Sequence, residues 1–196
     1  MIFVLHGYSD ATPNEDTEFL TNLFPLDEVI GLNYPFSPPK TVQYLHQTVE
    51  DHLKQKTDNT PLLFVGISLG AFWAWHCATW FNGAAILINP SLRPWDSLKR
   101  MVGTFRIVRS RERFTFTTED VEALKDYPLP EQKIPLLALL DRGDERFDNV
   151  AVQRELEPLA KTVLFDGGSH RFDHRPESSE FVLAFYQAAA SGANDR

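Results

Sequence analysis

Apolar residues fall along this chain in short solid runs separated by longer stretches of helical spacing. Ile2–Leu5, Leu62–Val65, Ala84–Ile88 and Leu136–Leu140 contain no polar side chain. A strand covered on both faces reads this way, without the alternation of a half-exposed one. Glu28–Leu32 and Thr162–Phe165 are weaker runs of the same kind. Between them the period lengthens. Thr17–Phe24 carries Phe19, Leu20, Leu23 and Phe24 on one helical face. Thr41 is expected to cap a helix whose inner face is Val42, Leu45, Val49 and Leu53, with Ser37, Pro38 and Pro39 still in the preceding loop. Leu69–Trp80 is nearly all apolar and long enough for a helix packed on most sides. Asp148 or Asn149 opens a helix with Val152, Leu156 and Leu159, and Glu177–Ala190 is the last. Asp58-Asn59-Thr60-Pro61 reads as a turn, and Ser191–Arg196 as a frayed tail.

Six strands alternating with helices predict an α/β fold: a three-layer sandwich around a mostly parallel, roughly six-stranded sheet, with right-handed crossovers. The alternation breaks over residues 91–133. There Leu98, Met101, Val102 and Phe105 suggest one helix, and Thr118 before Glu119 and Asp120 suggests the start of another, ended by Pro128 and Pro130. The segment is too long for a plain connection. It reads as an insertion with a crossover helix, or a small cap, within a single domain spanning 1–196.

Composition narrows the function. Among 196 residues, 27 acids and 19 Lys or Arg give a net charge of −8, which disfavours nucleic-acid binding. The densest basic run is Lys99, Arg100, Arg106, Arg109, Arg111 and Arg113. It reads as a solvated, ion-paired face, or alternatively as a receiver of an anionic substrate group. Cys77 is the sole cysteine, so an intrachain disulfide is impossible, and its apolar setting suggests a buried thiol. No Cys pair or HExxH pattern suggests a metal, and no cofactor is expected. With no run of 18 apolar residues, and Met1 leading directly into a strand, neither membrane insertion nor a signal peptide is expected, and a cytoplasmic setting fits. Nothing in the pattern sets an oligomeric state.

The chemistry is carried by Gly66-Ile67-Ser68-Leu69-Gly70, a GxSxG sequence placed between an apolar strand and an apolar helix. That is the strand–turn–helix setting of a nucleophile elbow, where tight backbone packing demands glycine and the serine hydroxyl is aimed outward. The alternative is a tight turn with an incidental serine. A serine needs a base, and in this arrangement the chain order is serine, acid, histidine. His170 and His174 both lie between the last strand and the last helix; His170, after Asp166-Gly167-Gly168-Ser169, is the preferred base. Asp144, past the Gly143 turn, is the preferred acid, with Asp141 read as a loop stabiliser and Asp148 as a helix start. The expected oxyanion donors are the backbone N–H groups of Leu69 and Tyr8, although His6-Gly7 could be only a turn. Tyr8, Phe36, Trp73, Trp95 and Phe172 either line an apolar acyl pocket or pack as core.

The stretches LHGYSDATPN, GISLGAFWAWHCA, INPSLRPW, LLDRGDERFD and GGSHRFDH together resemble the α/β-hydrolase superfamily, and within it the YqiA/YcfP-type bacterial esterases, once grouped as an uncharacterised protein family. They span both ends and the middle of the chain and leave mainly 96–133 unplaced. The resemblance implies a minimal α/β-hydrolase fold and a compact serine esterase with Ser68, Asp144 and His170 as its triad, acting on small or acyl-CoA-like esters. Family elbows can carry other residues around the serine, whereas this one is a complete GxSxG. The expected function is hydrolysis of small-molecule carboxylic esters or thioesters through an acyl-enzyme on Ser68. An acyltransferase or acyl-CoA thioesterase, and a non-catalytic binding protein on the same fold, are the alternatives.

Overall fold

The computed structural model describes residues 1–57 and 60–193; Asp58 and Asn59 of the expected turn and the last three residues of the tail lie outside them. In chain order the strands are β1 (Ile2–Leu5), β2 (Val29–Leu32), β3 (Leu63–Ile67), β4 (Ala84–Ile88), β5 (Gly103–Arg106), β6 (Arg113–Phe116), β7 (Leu136–Asp141) and β8 (Lys161–Phe165). The helices are α1 (Glu15–Leu23), α2 (Pro38–Leu53), α3 (Leu69–Trp80), α4 (Pro94–Ser97), α5 (Thr118–Ala123), α6 (Asn149–Leu156) and α7 (Arg175–Ala193). Six strands form one sheet in the order β2-β1-β3-β4-β7-β8, and every pairing in it is parallel.

The unbroken apolar runs follow from this layering. Phe3 and Leu5 of β1 enter one core with Leu45 of α2 and Phe72 of α3, while Ile2 and Val4 enter the other with Leu20 of α1 and Val182 of α7. Phe64 likewise opposes Leu63 and Val65, and Ala138 and Leu140 oppose Leu137 and Leu139. Each strand must be apolar at every position because both faces are covered. The central helix α3 buries ten residues in succession, Leu69 to Ala78, which explains its lack of a polar face.

Two local expectations are corrected. First, α2 begins at Pro38, not Thr41. Prolines are tolerated in a first helical turn, whose N–H groups lack intrahelical acceptors anyway. Thr41 lies inside the helix and its hydroxyl donates to the carbonyls of Pro35 and Ser37, at 2.5 and 3.0 Å.

Second, the 98–105 stretch is not a helix. It comprises the turn after α4 and strand β5, which pairs antiparallel with β6 in a separate hairpin. Gly103, at φ 147°, leaves the helical region, and the true period is two. Phe105, Phe114 and Phe116 turn to one side and pack edge-on around the Tyr8 ring at 5.7, 5.5 and 5.3 Å.

As expected, α5 starts at Thr118, and Thr117 before it is the cap. The Thr117 hydroxyl accepts from the Asp120 N–H, while Asp120 accepts from the Thr117 N–H.

Candidate active site

Ser68 stands between β3 and α3 with φ 56° and ψ −118°, a conformation most side chains avoid. The flanking glycines make it possible. A Cβ on Gly66 would lie 2.2 Å from the Gly70 carbonyl oxygen, and one on Gly70 would lie 2.1 Å from that of Leu5. Neighbouring backbone holds the turn: the Ser68 N–H donates to Ile88 O at 3.0 Å, and Ser68 O accepts from the Ser91 N–H at 3.1 Å. Ser68 lines a cleft of about 550 Å³ at the carboxyl ends of the strands, and so do Leu69, Tyr8 and His170.

The loop after β7 brings Asp144 to His170. Asp144 Oδ2 is 2.8 Å from His170 Nδ1, and the carboxylate has no solvent exposure. Its Oδ1 accepts the N–H groups of Arg146 and Phe147 at 2.7 and 3.1 Å. Burial pushes this carboxyl group up, but the hydrogen bonds from His170, Arg146 and Phe147 outweigh it and hold it below the usual range. His170 is fixed at its backbone too, where its N–H donates to Glu145 Oε2 at 2.9 Å. Phe147 meets the imidazole edge-on at 5.1 Å.

Asp141 and His174 form a second acid–histidine pair. Asp141 is fully buried, and its Oδ1 is 2.7 Å from His174 Nδ1. Its Oδ2 accepts the N–H groups of Ser169 and Asp173 at 3.1 and 2.8 Å. His174 therefore engages a different carboxylate from His170, and its ring stacks on Phe165 rather than entering the cleft. Asp148 accepts the N–H groups of Val150 and Ala151 as the cap of α6.

Sequence reasoning missed two asparagines. Asn89 Nδ2 donates to the carbonyls of Ser169 and His170, and its Oδ1 accepts from the Asp141 N–H and from Asn149 Nδ2. Asn149 Nδ2 also reaches Asp141 O at 2.8 Å. The loop that presents His170 is thus clamped from β4, β7 and α6. A polar residue directly after an all-apolar strand, as Asn89 is, was the available signal.

Before Gly7, the buried His6 ring stacks on Tyr34 at 4.3 Å, and burial lowers its pKa. A Cβ on Gly7 would meet only ordinary contacts, 3.5 Å from Ile67 O and 3.6 Å from Ser68 Cβ, so this glycine is not sterically required in itself. Among the described residues neither the Tyr8 nor the Leu69 N–H has an acceptor, which leaves both able to meet a ligand. The Tyr8 hydroxyl donates to Met101 O at 2.9 Å, and burial raises its pKa, with the Asp120 charge adding to the effect.

Of the five aromatic residues considered for an acyl pocket, only Tyr8 lines the cleft. Trp73 and Phe172 are core residues; Phe36 is buried under Phe114 at 4.2 Å, and Trp95 packs at the core edge. The apolar wall is instead Leu98, Met101 and Val108, together with Ile67 and Phe147. Among the described residues no group of three or more His, Cys, Asp or Glu could hold a metal ion, and no helix is long and apolar enough to cross a membrane.

The family model described as Uncharacterised protein family (UPF0227) matches residues 1–187. A UPF0227 protein of Vibrio atlanticus (strain LGP32) is 29% identical over 96% of this chain and 100% of its own length. The UPF0227 protein YcfP of Escherichia coli O9:H4 (strain HS) is 25% identical over 94% and 98%. Among solved structures, Est1E from Butyrivibrio proteoclasticus with ferulic acid bound superposes with a TM-score of 0.75 at 14% identity, covering 97% of this chain and 89% of that one. At that identity the likeness carries the fold, which is that of the α/β hydrolases.

Proposed function

This chain belongs to the Uncharacterised protein family (UPF0227), and from that membership and the cleft over Ser68 we propose that it is a serine hydrolase cleaving carboxylic esters or thioesters. The observation that carries the reading is the coupling of His170 Nδ1 to buried Asp144, with His170 and Ser68 lining one cleft. A carboxylate on Nδ1 fixes the proton there and leaves Nε2 as the base. The esterase Est1E, which shares the fold, is consistent with this chemistry.

Ser68 Oγ attacks the carbonyl carbon as His170 Nε2 takes its proton. The N–H groups of Leu69 and Tyr8 receive the oxyanion. Collapse breaks the bond to the leaving alcohol or thiol, which takes the proton from His170. Water then adds to the acyl-enzyme by the same route, releases the acid and restores Ser68. Asp144 stabilises the imidazolium formed in each half and remains ionised.

An alkyl fluorophosphonate tests the reading. The folded protein is expected to be labelled at Ser68 alone, and Ser68→Ala to lose both the label and ester hydrolysis. Absence of labelling in folded protein would refute the proposal and favour a non-catalytic binding protein.

A further inference from the structure

The chain has a net charge of −8, yet the charged side chains around the cleft are Arg100, Arg109, Arg146 and Arg171 against a single acid, Asp10. Only Arg109 is neutralised in place, with Nε 3.1 Å from Asp10 and a terminal nitrogen 2.5 Å from Glu15. The carboxylate paired with Arg146 is that of Glu145, at 4.0 Å, the outer limit of an ion pair. Among the described residues Arg100 and Arg171 have no carboxylate within that limit. Three guanidinium groups therefore face one concavity of an acidic protein, two without a carboxylate partner and that of Arg146 with one only at 4.0 Å. A cleft lined by one sign of charge concentrates ligands of the other and raises their on-rate. Guanidinium also suits carboxylate and phosphate oxygens, which it can bind in bidentate fashion.

Two of the three have a definite place in the reaction. Arg171 follows His170 in the chain, and Arg146 lies two residues beyond Asp144. Both belong to the loops that carry the acid and the base. The imidazole hands its proton to the departing atom, so the leaving group lies on its side of the serine. The apolar residues Leu98, Met101 and Val108 come from the segment between β4 and β7 and offer the acyl half a separate wall.

We propose that the substrate carries its negative charge on the leaving group: the alcohol or thiol half of the ester bears a carboxylate or phosphate that lies against Arg171 and Arg146, with Arg100 strengthening the field. This rests on the hydrolase reading and specifies its substrate. Each exposed guanidinium contact is worth up to about fivefold.

Matched acetyl esters test it: 4-acetoxybenzoate and 4-acetoxyphenyl phosphate against the neutral methyl 4-acetoxybenzoate, each kcat/KM divided by its uncatalysed rate. The wild type is expected to favour the anions. The anionic-to-neutral ratio should fall roughly tenfold in Arg146→Gln/Arg171→Gln and shrink in high salt, which screens exposed charges. A preference for only one of the two anions would identify phosphate or carboxylate as the group bound.

Hydrolysis of all three esters with a ratio indifferent to the arginines and to salt would overturn the proposal and leave the hydrolase reading standing. So would a preference that appears only when the charge is on the acyl half, as in mono-4-nitrophenyl glutarate against 4-nitrophenyl pentanoate. If Ser68 proves unreactive, calorimetric binding of 4-acetoxybenzoate and its methyl ester to Ser68→Ala decides the charge preference separately. Equal binding would refute it, and tighter binding of the anion, lost in the double arginine variant, would uphold it.

Discussion

Replacing Asp144 by asparagine changes one atom, and the surroundings dictate which way the new amide faces. The oxygen now at Oδ1 accepts two backbone N–H groups, from Arg146 at 2.7 Å and Phe147 at 3.1 Å. An NH2 there would oppose two donors, so the amide carbonyl must take that place. The NH2 is then forced toward His170 Nδ1, where the carboxylate oxygen lay at 2.8 Å. A donor facing Nδ1 stabilises the tautomer with its proton on Nε2, and that tautomer cannot accept the Ser68 proton. The change also removes the charge that stabilises the imidazolium. Together these effects lower kcat by about 10⁴-fold in a serine triad. The cost to folding is smaller. Two hydrogen bonds to a charged acceptor become neutral ones, a difference of about 1 kcal/mol each, so roughly 2 kcal/mol is expected. Ester hydrolysis at saturating substrate and a urea titration followed by circular dichroism measure the two quantities. Folded Asp144→Asn protein retaining a tenth or more of the wild-type kcat would refute the assignment of Asp144 as the acid.

Asp141→Asn should show the opposite balance. Its carboxylate receives two N–H groups and His174, so a loss of about 2–3 kcal/mol and a Tm lower by roughly 4–12 °C are expected. Turnover should fall less than in Asp144→Asn, and a larger fall would move the acid to Asp141. Gly70→Ala places a methyl group 2.1 Å from Leu5 O and should cost about 1–3 kcal/mol or more; unchanged stability in chemical denaturation would contradict the packing described at the elbow. His76 supplies a test in pH. Burial lowers its pKa from 6.5 to about 4, against a smaller raising effect of its backbone hydrogen bond with Tyr127. Between these values the unfolded chain binds the proton and the folded one does not, so the contribution is complete above pH 6.5 and is lost as pH falls toward 4. The size is about 3 kcal/mol, and His76→Met should flatten that part of the stability curve; an unaltered slope would show that His76 is not responsible.

Where one physical cause dominated, the sequence could be read directly. The bounds of α3 and β4 follow from polarity, because β4 and the first ten residues of α3 are buried and the turn residues Asn89-Pro90 and Asn82-Gly83 lie just beyond them. Ser68, Asp144 and His170 could be named as candidates because each follows a strand, and parallel strands deliver their ends to one edge. Other features depended on contacts across space. Leu98, Met101, Val102 and Phe105 have spacings that imitate a helix; only the pairing of β5 with β6, which sets Phe105 against Tyr8, makes that residue part of a strand. The pairing of His174 with Asp141 joins residues 33 apart in the chain and leaves no local trace. Aromatic residues gave no direction either. A tryptophan that fills the core and one that lines a cleft read alike, and Trp73 fills the core.

The edge position of β8 also orders events in time. Of the six sheet strands it is the last to leave the ribosome, and it pairs with β7 alone. The elbow around Ser68 is anchored by Leu5, Ile88 and Ser91, all of which are synthesised before β7 and β8. His170 arrives only behind β8. A nascent or partly unfolded chain can therefore own its serine and its acid yet lack a base. On the proposed chemistry, such a chain is inert toward esters until the final strand docks, and reactivity toward a fluorophosphonate becomes a clock for completion of the sheet.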